Sequence, residues 1–182
     1  MGRFRSYVVR RDFGFAPNPF FGTLTLATCK PQVRPAMRDG EVVLGIGGKT
    51  RNLQGRLIFF GRVSNTISFQ EYWEHPQFLR KRPNLHGSRK VRFGDNIYHH
   101  DEAGNWIQED SHHSHEGGGT NWENLQTDTS ADRVILCEDF TYFGAQHIAI
   151  PKRLLGDSGE SIQPARYNPT NFSPAFEAEL DR

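Results

Sequence analysis

The chain has 182 residues, 36% of them hydrophobic, and a formal net charge of +1. This length is enough for one domain with its own core, so a single domain over residues 1–182 is predicted. No apolar run approaches the roughly 18 residues of a membrane span. Cys29 and Cys137 lie in no CxxC or Cys/His pattern, which argues against a disulfide framework and a thiolate zinc site. We expect a cytoplasmic protein with reduced cysteines, no cofactor and no membrane partner.

The near-neutral net charge conceals an asymmetry along the chain. Residues 1–92 carry 17 Lys or Arg and 5 Asp or Glu, a balance of +12, whereas residues 93–182 carry 5 and 16, a balance of −11. Such an asymmetry favours a side of the protein that faces a polyanion. The alternative is that the two halves pair their charges on the folded surface, because halves of a sequence need not be halves of a structure.

Short β-rich runs dominate the first third of the chain. Strands are predicted, in chain order, over residues 6–9, 41–46 and 57–63, where β-branched and aromatic residues are concentrated. Residues 24–29 fit either a short strand or the start of a helix. Residues 12–22 contain Gly, Pro-Asn and four phenylalanines, which predicts a loop with an unusually high aromatic content.

One helix start is well marked. Ser68 and Glu71 have the spacing of a capping box, and Ile67 and Tyr72 occupy the two hydrophobic staple positions around it. The residue before a proline disfavours helical backbone, so this helix must end before Pro76.

The remaining elements are again short. Residues 96–100 and 106–108 flank a turn and predict a hairpin, and residues 134–137 and 140–143 predict two further strands. Residues 110–131 are polar and glycine-rich and predict a long surface loop. Ser173 followed by Pro174 predicts the start of a C-terminal helix. The expected fold class is therefore α+β and β-rich, with a curved, mostly antiparallel sheet of five or six strands and short helices.

A basic stretch, residues 80–92, follows the capped helix. It has no acidic residue, and Pro83 and Gly87 interrupt any helix, so it is predicted to form a shaped loop. Its cations suit the phosphates of a nucleic-acid backbone. Lys30, which lies outside this stretch, is predicted to contact the same backbone. The alternative is a solvated run of charges. The predicted backbone contacts are Lys30, Arg80, Lys81, Arg82, Arg89, Lys90 and Arg92.

The densest polar chemistry lies in residues 96–115, which contain five of the eight histidines. If the hairpin forms, Asp110 could orient His112 or His113 as a general acid–base pair. His112, His113 and His115 could instead bind a metal, but adjacent histidines rarely point to one centre, so no metal is predicted. A third alternative is an exposed polar loop.

The chain resembles the second nucleotide-modification-associated domain family, which consists of small proteins of bacteria and their phages. The resemblance spans about residues 5–150. It is carried by residues 7–20 (YVVRRDFGFAPNPF), 25–31 (TLATCKP), 40–48, Tyr72-Trp73, 81–84 (KRPN), 94–98 (GDNIY), Trp106-x-Gln108 and 111–114 (SHHS). It implies a link to DNA base hypermodification, with DNA or a nucleotide, possibly carrying a modified base, as the partner.

A second similarity concerns the fold. Residues 39–43, the strand at 57–63 and the capped helix are similar in order to PUA-like domains, including their EVE and ASCH branches. This similarity implies a small curved barrel that binds RNA or modified DNA bases, although Gly40-Glu41 departs from the usual Gly-Asp turn. Fold alone does not decide function.

Two functions remain open from the sequence. The first is a binding module that holds a modified or flipped base, with aromatic rings stacking on the base and amides reading its edge. The second is a metal-independent enzyme in which Asp110 works with His112 or His113. A purely structural protein is a third reading. The predicted ligand contacts are Phe13, Phe15, Asn18, Asn96, Tyr98, Gln108 and Ser111.

Overall fold

The computed structural model describes residues 4–49, 52–155, 160–163 and 172–180. These residues divide into two compact units. The first unit comprises the described residues up to Asp12, Ala36–Ser64 and those from Cys137 onward; the second comprises Phe13–Pro35 and Asn65–Leu136. The two units are interleaved along the chain, and each has its own apolar core. That the whole chain behaves as one domain stays a prediction.

The first unit is built on a five-stranded sheet. Its strands are β1 (Phe4–Val9), β3 (Val42–Gly47), β4 (Arg56–Arg62), β9 (Asp139–Tyr142) and β10 (Ile148–Ala149), and α4 (Pro174–Leu180) belongs to the same unit. The sheet order is β1-β3-β4-β10, with β9 also paired to β4. Only the β1–β3 pair is parallel; β3, β9 and β10 all run antiparallel to β4.

Packing explains why β3 contains glycine. All six residues of β3 are buried, and a Cβ at Gly45 would lie 2.0 Å from a ring carbon of Phe59 on the neighbouring strand. Strands buried on both faces are continuously apolar, which fits the run of Val42, Val43 and Leu44. The core of this unit is formed by Phe4, Val42, Leu44, Ile46, Ile150, Leu154, Ile162, Phe172 and Phe176.

The second unit combines two small sheets with short helices. A three-stranded sheet has the order β2 (Leu24–Leu26), β8 (Val134–Cys137) and β5 (Asn65–Ile67), and β6 (Tyr98–His100) forms an antiparallel hairpin with β7 (Trp106–Gln108). The helices are α1 (Phe69–Glu74), α2 (Arg89–Arg92) and α3 (Trp122–Thr129). The core consists of Phe15, Ala27, Phe69, Tyr72, Phe78, Ile97, Tyr98, Leu125, Val134 and Leu136.

The predicted capping box is confirmed. The Glu71 amide donates to Ser68 Oγ at 3.1 Å, and the Ser68 amide donates to the Glu71 carboxylate at 2.7 Å. The Ser68 hydroxyl also donates to this carboxylate, at 2.8 Å, and the amide and hydroxyl bonds from Ser68 together hold the pKa of Glu71 below its ordinary value. Helix α1 ends at Glu74, and a 3₁₀ helix begins at Pro76, as the proline requires.

Two loop predictions are wrong in part. Residues 110–131 contain α3, whose start is capped by the Asn121 side chain accepting from the Asn124 amide at 3.1 Å. This helix has only one buried apolar residue, Leu125, so it lacks the apolar periodicity by which helices are recognised. The basic stretch is not purely loop either, because it contains the end of a 3₁₀ helix, Pro76–Lys81, and the single turn of α2.

The fold class is confirmed as α+β with mostly antiparallel strands. The described residues form three separate sheets and no closed barrel, so the barrel implied by the similarity to PUA-like domains is not observed in this part of the chain. No helix among the described residues is both long enough and apolar enough to cross a membrane.

Candidate active site

A cysteine with unusual backbone geometry lies just after β2. Cys29 and Lys30 both adopt left-handed backbone conformations, with φ of 55° and 49°. Such conformations are costly for non-glycine residues, on the order of 1–3 kcal/mol each, and they concentrate at functional sites. Two bonds hold Cys29 there: its amide donates to Asp128 Oδ1 at 2.7 Å, and its carbonyl accepts from Arg34 Nε at 3.1 Å.

The histidine opposite this thiol comes from a tight turn after β7. Ser111 and Ser114 close the turn, and the His113 amide donates to Ser111 Oγ at 3.2 Å. The His113 carbonyl accepts from Asn124 on α3 at 2.9 Å. The imidazole is thereby positioned with Nε2 3.5 Å from Cys29 Sγ.

A buried carboxylate on α3 completes the arrangement. Asp128 Oδ2 lies 2.9 Å from His113 Nδ1 and accepts from the Tyr98 hydroxyl at 2.8 Å. Burial, and secondarily the neighbouring Asp128, raises the pKa of Tyr98 well above its ordinary value, so this hydroxyl remains a donor. Asp128 is 2% exposed and bonds to both the His113 ring and the Cys29 amide, so it fixes the position of the histidine ring relative to the cysteine backbone.

Arg34 stabilises the backbone around the site through hydrogen bonds to four carbonyls. Its side chain is fully buried, and its guanidinium donates to the carbonyls of Cys29, Asp128, Ala131 and Arg133. Three of these carbonyls lie at or just beyond the C-terminal end of α3, where a cation is favoured by the helix dipole. Burial lowers the pKa of Arg34, and Asp128 partly offsets this effect. Arg34 therefore ties the cysteine segment to the helix that carries Asp128.

The electrostatics of the site favour a charged histidine. Burial by itself lowers the pKa of His113, but the hydrogen bonds to Asp128 and Cys29 and the charges of both groups raise it more, to about 9. At neutral pH the ring is therefore an imidazolium. A thiol, an imidazole and a carboxylate that contact one another in this order can perform nucleophilic catalysis. In such a relay the sulfur attacks, the histidine transfers protons and the carboxylate orients the ring.

A family model described as nucleotide modification associated domain 2 matches residues 1–180. The chain belongs to this family. Membership links it to nucleotide or DNA modification. Comparison with curated proteins and with solved structures gives no match.

In this nucleotide modification associated domain, the aromatic loop of residues 12–22 contacts the histidine turn. The His112 ring packs edge-on against Phe13, Phe15 and Phe93 at centroid distances of 5.1, 5.3 and 5.1 Å. Phe15 also contacts the His113 ring at 4.7 Å. The predicted residues Phe13, Phe15 and His112 thus form an aromatic cluster beside the thiol and imidazole.

The predicted role of Asp110 as the orienting carboxylate is not supported by its position. Asp110 accepts from the Gly119 amide at 3.0 Å and closes a glycine-rich turn. The group that orients His113 is Asp128. The sequence supplied no pattern for this assignment, because Asp128 lies in a helix without apolar periodicity and its partners are distant along the chain.

The three amides predicted to read a base edge lie inside the second unit. Asn18, Asn96 and Gln108 are buried, and their side chains bond internally. Asn18 donates to Phe93 O and accepts from Lys81; Asn96 donates to Tyr72 O and Phe78 O; Gln108 donates to Tyr98 and His113 O and accepts from Asn121. Tyr98 and Ser111 are likewise committed, to Asp128 and to the histidine turn. In the structure these residues contribute hydrogen bonds within the second unit, and their role as ligand contacts stays a prediction.

The predicted phosphate contact by Lys81 does not fit the position of this residue in the structure. Its side chain is fully buried and donates to Asn18 Oδ1 at 2.9 Å and Thr25 Oγ1 at 3.0 Å. Thr25 and Tyr72 both donate to the Asp95 carboxylate behind it. Burial lowers the pKa of Lys81 to about 8, and Asp95 opposes this shift. The lysine anchors the core instead of binding an external anion.

The other predicted cations differ in their surroundings. The Arg82 guanidinium lies 3.5 Å from the Trp73 ring centroid and donates to Trp73 O at 2.7 Å, so it is engaged within the fold. Lys30 is half-buried beside Cys29. The remaining four are exposed: Arg80, Arg89, Lys90 and Arg92.

Proposed function

We propose that this protein is a thiol-dependent enzyme of nucleotide or DNA base modification, with Cys29 as the nucleophile, His113 as the general acid–base and Asp128 as the group that orients the histidine. The supporting observation is the relay of contacts, 3.5 Å from Cys29 Sγ to His113 Nε2 and 2.9 Å from His113 Nδ1 to Asp128 Oδ2. A working thiol needs a reducing compartment, which fits a cytoplasmic location.

The chemistry follows from the three groups. The Cys29 sulfur forms a bond to a carbonyl or amidine carbon of the base or its substituent, while the π pair moves to the oxygen or nitrogen. When the double bond re-forms, the leaving group departs with the proton of the His113 imidazolium. His113 then takes a proton from water, the resulting hydroxide attacks the same carbon, and the thiolate leaves. Phe13 and His112, backed by the buried Phe15, supply an apolar wall for the ring of the base.

A metal site is the second candidate, because the same three residues offer sulfur, nitrogen and oxygen ligand atoms within 4.8 Å of one another. Such a donor set suits zinc. However, one ion can take only one nitrogen of an imidazole, whereas here the thiol faces Nε2 and the carboxylate faces Nδ1. To bind one ion together, the carboxylate would have to leave Nδ1, so the observed arrangement favours the relay.

Alkylation of the two cysteines gives the first test. At pH 7 iodoacetamide is expected to modify Cys29 at least tenfold faster than Cys137, as measured by peptide mass spectrometry. Cys29 is half-buried and its sulfur lies 3.5 Å from the His113 ring, which can accept or donate the thiol proton. By contrast, burial and then Asp139 raise the pKa of Cys137 to about 12. Equal rates, or modification of Cys137 alone, would contradict the nucleophile assignment.

Matched variants separate the relay from the metal. The His113→Gln variant is expected to slow Cys29 alkylation about tenfold or more, while Cys137→Ala leaves it unchanged. If added zinc protects Cys29 and a chelator restores its reactivity, the metal site is the better description. Turnover is then sought by nucleoside mass spectrometry after incubation with normal DNA, hypermodified DNA and free nucleotides. Loss of the product in Cys29→Ala but not in Cys137→Ala is the expected result.

A further inference from the structure

Two adjacent phenylalanines and two cations form a distinct patch on the second unit. The Arg80 guanidinium lies 4.4 Å from the Phe21 ring centroid, and Lys90 Nζ lies 5.3 Å from that of Phe20 and 5.0 Å from that of Phe21. Both cations are exposed, and both rings are half-buried. We call Phe20, Phe21, Arg80 and Lys90, with the nearby helix residues Arg89 and Arg92, the aromatic–cationic surface.

The backbone that carries these rings is fixed by hydrogen bonds to a buried network. Phe21 has a left-handed φ of 64°, and the next residue, Gly22, has a φ of 87°. The Phe20 amide donates to Asn18 Oδ1 at 3.2 Å, and the same oxygen accepts from the buried Lys81. The Lys81 network therefore holds the turn that carries Phe20 and Phe21. A rigid aromatic platform loses little conformational entropy when it binds a ring.

The positive charge of this surface is local. Residues 75–94 contain no acidic residue, and no ion pair among the described residues involves Arg80, Arg89, Lys90 or Arg92. The second unit as a whole carries 9 Lys or Arg and 11 Asp or Glu, so it is not basic overall. An anion is therefore attracted to this one patch and not to the unit in general.

We propose that the aromatic–cationic surface binds single-stranded nucleic acid, with phosphates on Arg80, Lys90 and their neighbours and unstacked bases on Phe20 and Phe21. Alternating cations and aromatic rings are what single strands require, because every unpaired base offers a π face and every nucleotide a phosphate. Duplex DNA hides its base faces, and the four-residue α2 is too short to act as a recognition helix in a major groove.

This inference rests on the proposed function and names its substrate class: a base within a single strand, not a free nucleotide. It also explains the choice of rings. Trp73 is engaged by Arg82, which lies 3.5 Å from its ring and also donates to Trp73 O, and by the His99 ring stacked at 4.0 Å. The cations near Phe21 are exposed and lie farther from its ring, at 4.4 Å for Arg80 and 5.0 Å for Lys90. Phe20 and Phe21 contact each other only by their edges, at a centroid distance of 6.4 Å.

Binding is tested by fluorescence anisotropy with labelled twelve-residue oligomers of dT and rU, the same length of duplex DNA, and free dTMP as competitor. The wild-type chain is expected to prefer single strands over duplex at least tenfold and to be displaced poorly by dTMP. The dT and rU arms show which kind of strand is bound. Equal affinity for duplex, or equal binding to anionic phospholipid vesicles, would overturn the proposal.

Variants distinguish stacking from charge. Arg80→Ala with Lys90→Ala is expected to weaken binding and to reduce the salt slope by about one to two, whereas Phe20→Ala should weaken it about 5- to 100-fold without changing the slope. Arg62→Ala with Arg153→Ala, two exposed arginines of the first unit, is the control and should bind as wild type. An unchanged affinity in both test variants would leave the surface without a ligand.

The outcome is independent of the thiol chemistry. Cys29→Ala is expected to bind oligomers as wild type, because Cys29 is outside the aromatic–cationic surface. If oligomer binding is absent but Cys29 remains selectively alkylated, only the single-strand proposal fails. If oligomers bind but Cys29 is no more reactive than Cys137, only the enzyme proposal fails.

Discussion

Replacing Arg34 by alanine is expected to lower the free energy of unfolding of the second unit by about 3–5 kcal/mol. The change removes a fully buried guanidinium and leaves the carbonyls of Cys29, Asp128, Ala131 and Arg133 without their donor. Each buried carbonyl left unpaired costs about 1–3 kcal/mol, reduced where the structure relaxes or water enters. Only a minority of surface changes approach this size.

The measurement can be confined to the unit that contains the site. All three tryptophans, Trp73, Trp106 and Trp122, lie in the second unit, so the fluorescence signal that follows denaturation originates in that unit. Arg34→Lys is expected to recover only part of the loss, because an ammonium cannot reproduce the planar fork of donors. The exposed Arg80→Ala is the matched control and should shift stability by less than about 1 kcal/mol. A similarly small effect for Arg34→Ala would contradict the anchoring role.

Substitution of Arg34 is also expected to change the reactivity of the candidate site. Arg34 bonds to the carbonyl of Cys29 and to the end of the helix that carries Asp128. Under conditions where Arg34→Lys remains folded, Cys29 is therefore expected to be alkylated more slowly than in the wild-type chain. Unchanged reactivity in a folded variant would show that the cysteine is held by the Asp128 bond alone.

The elements predicted correctly from the sequence are those whose signal is local. The capping box of Ser68 and Glu71 is a pattern within four residues, and the stop at Pro76 follows from the chemistry of one residue. The buried strand β3 is likewise a short apolar run. Helix α3 has no such local signal, because polar contacts, including those of Asn121 and Asp128, hold it in place and its sequence has no apolar periodicity.

The candidate site was predicted only in part, for a related reason. His113 was identified because it lies in a dense polar segment, but Cys29 and Asp128 come from segments 84 and 15 residues away from it. Nothing local distinguishes a nucleophilic cysteine from a small buried one, nor Asp128 from Asp110. Equally, the charge of Lys81 suggested a surface role, and only the fold shows that its ammonium is enclosed by Asn18 and Thr25.

The second large effect is expected in the pH dependence of stability. In the folded chain the pKa of His113 is about 9, because bonds to Asp128 and Cys29 outweigh the cost of burial, against about 6.5 in an unfolded chain. A group whose folded pKa is raised contributes stability that is fully present below the unfolded value and is lost as the pH rises through the folded value. From these values the contribution is about 3 kcal/mol, present below pH ~6.5 and lost by pH ~9.

The experiment compares wild type with His113→Gln by tryptophan fluorescence from pH 6 to 10. The glutamine can still donate to Asp128 but never carries a charge, so the difference in unfolding free energy between the two proteins should shrink across this interval. Titrating groups that do not interact with His113 contribute equally to both proteins and cancel in the difference. Asp128→Asn provides the control: without the carboxylate the imidazolium loses its main hydrogen-bond partner. Adding His113→Gln to that background should then produce little pH dependence. If the difference between wild type and His113→Gln is constant with pH, the ring is not held as a cation, and His113 would enter the reaction as a neutral base instead of the proton donor.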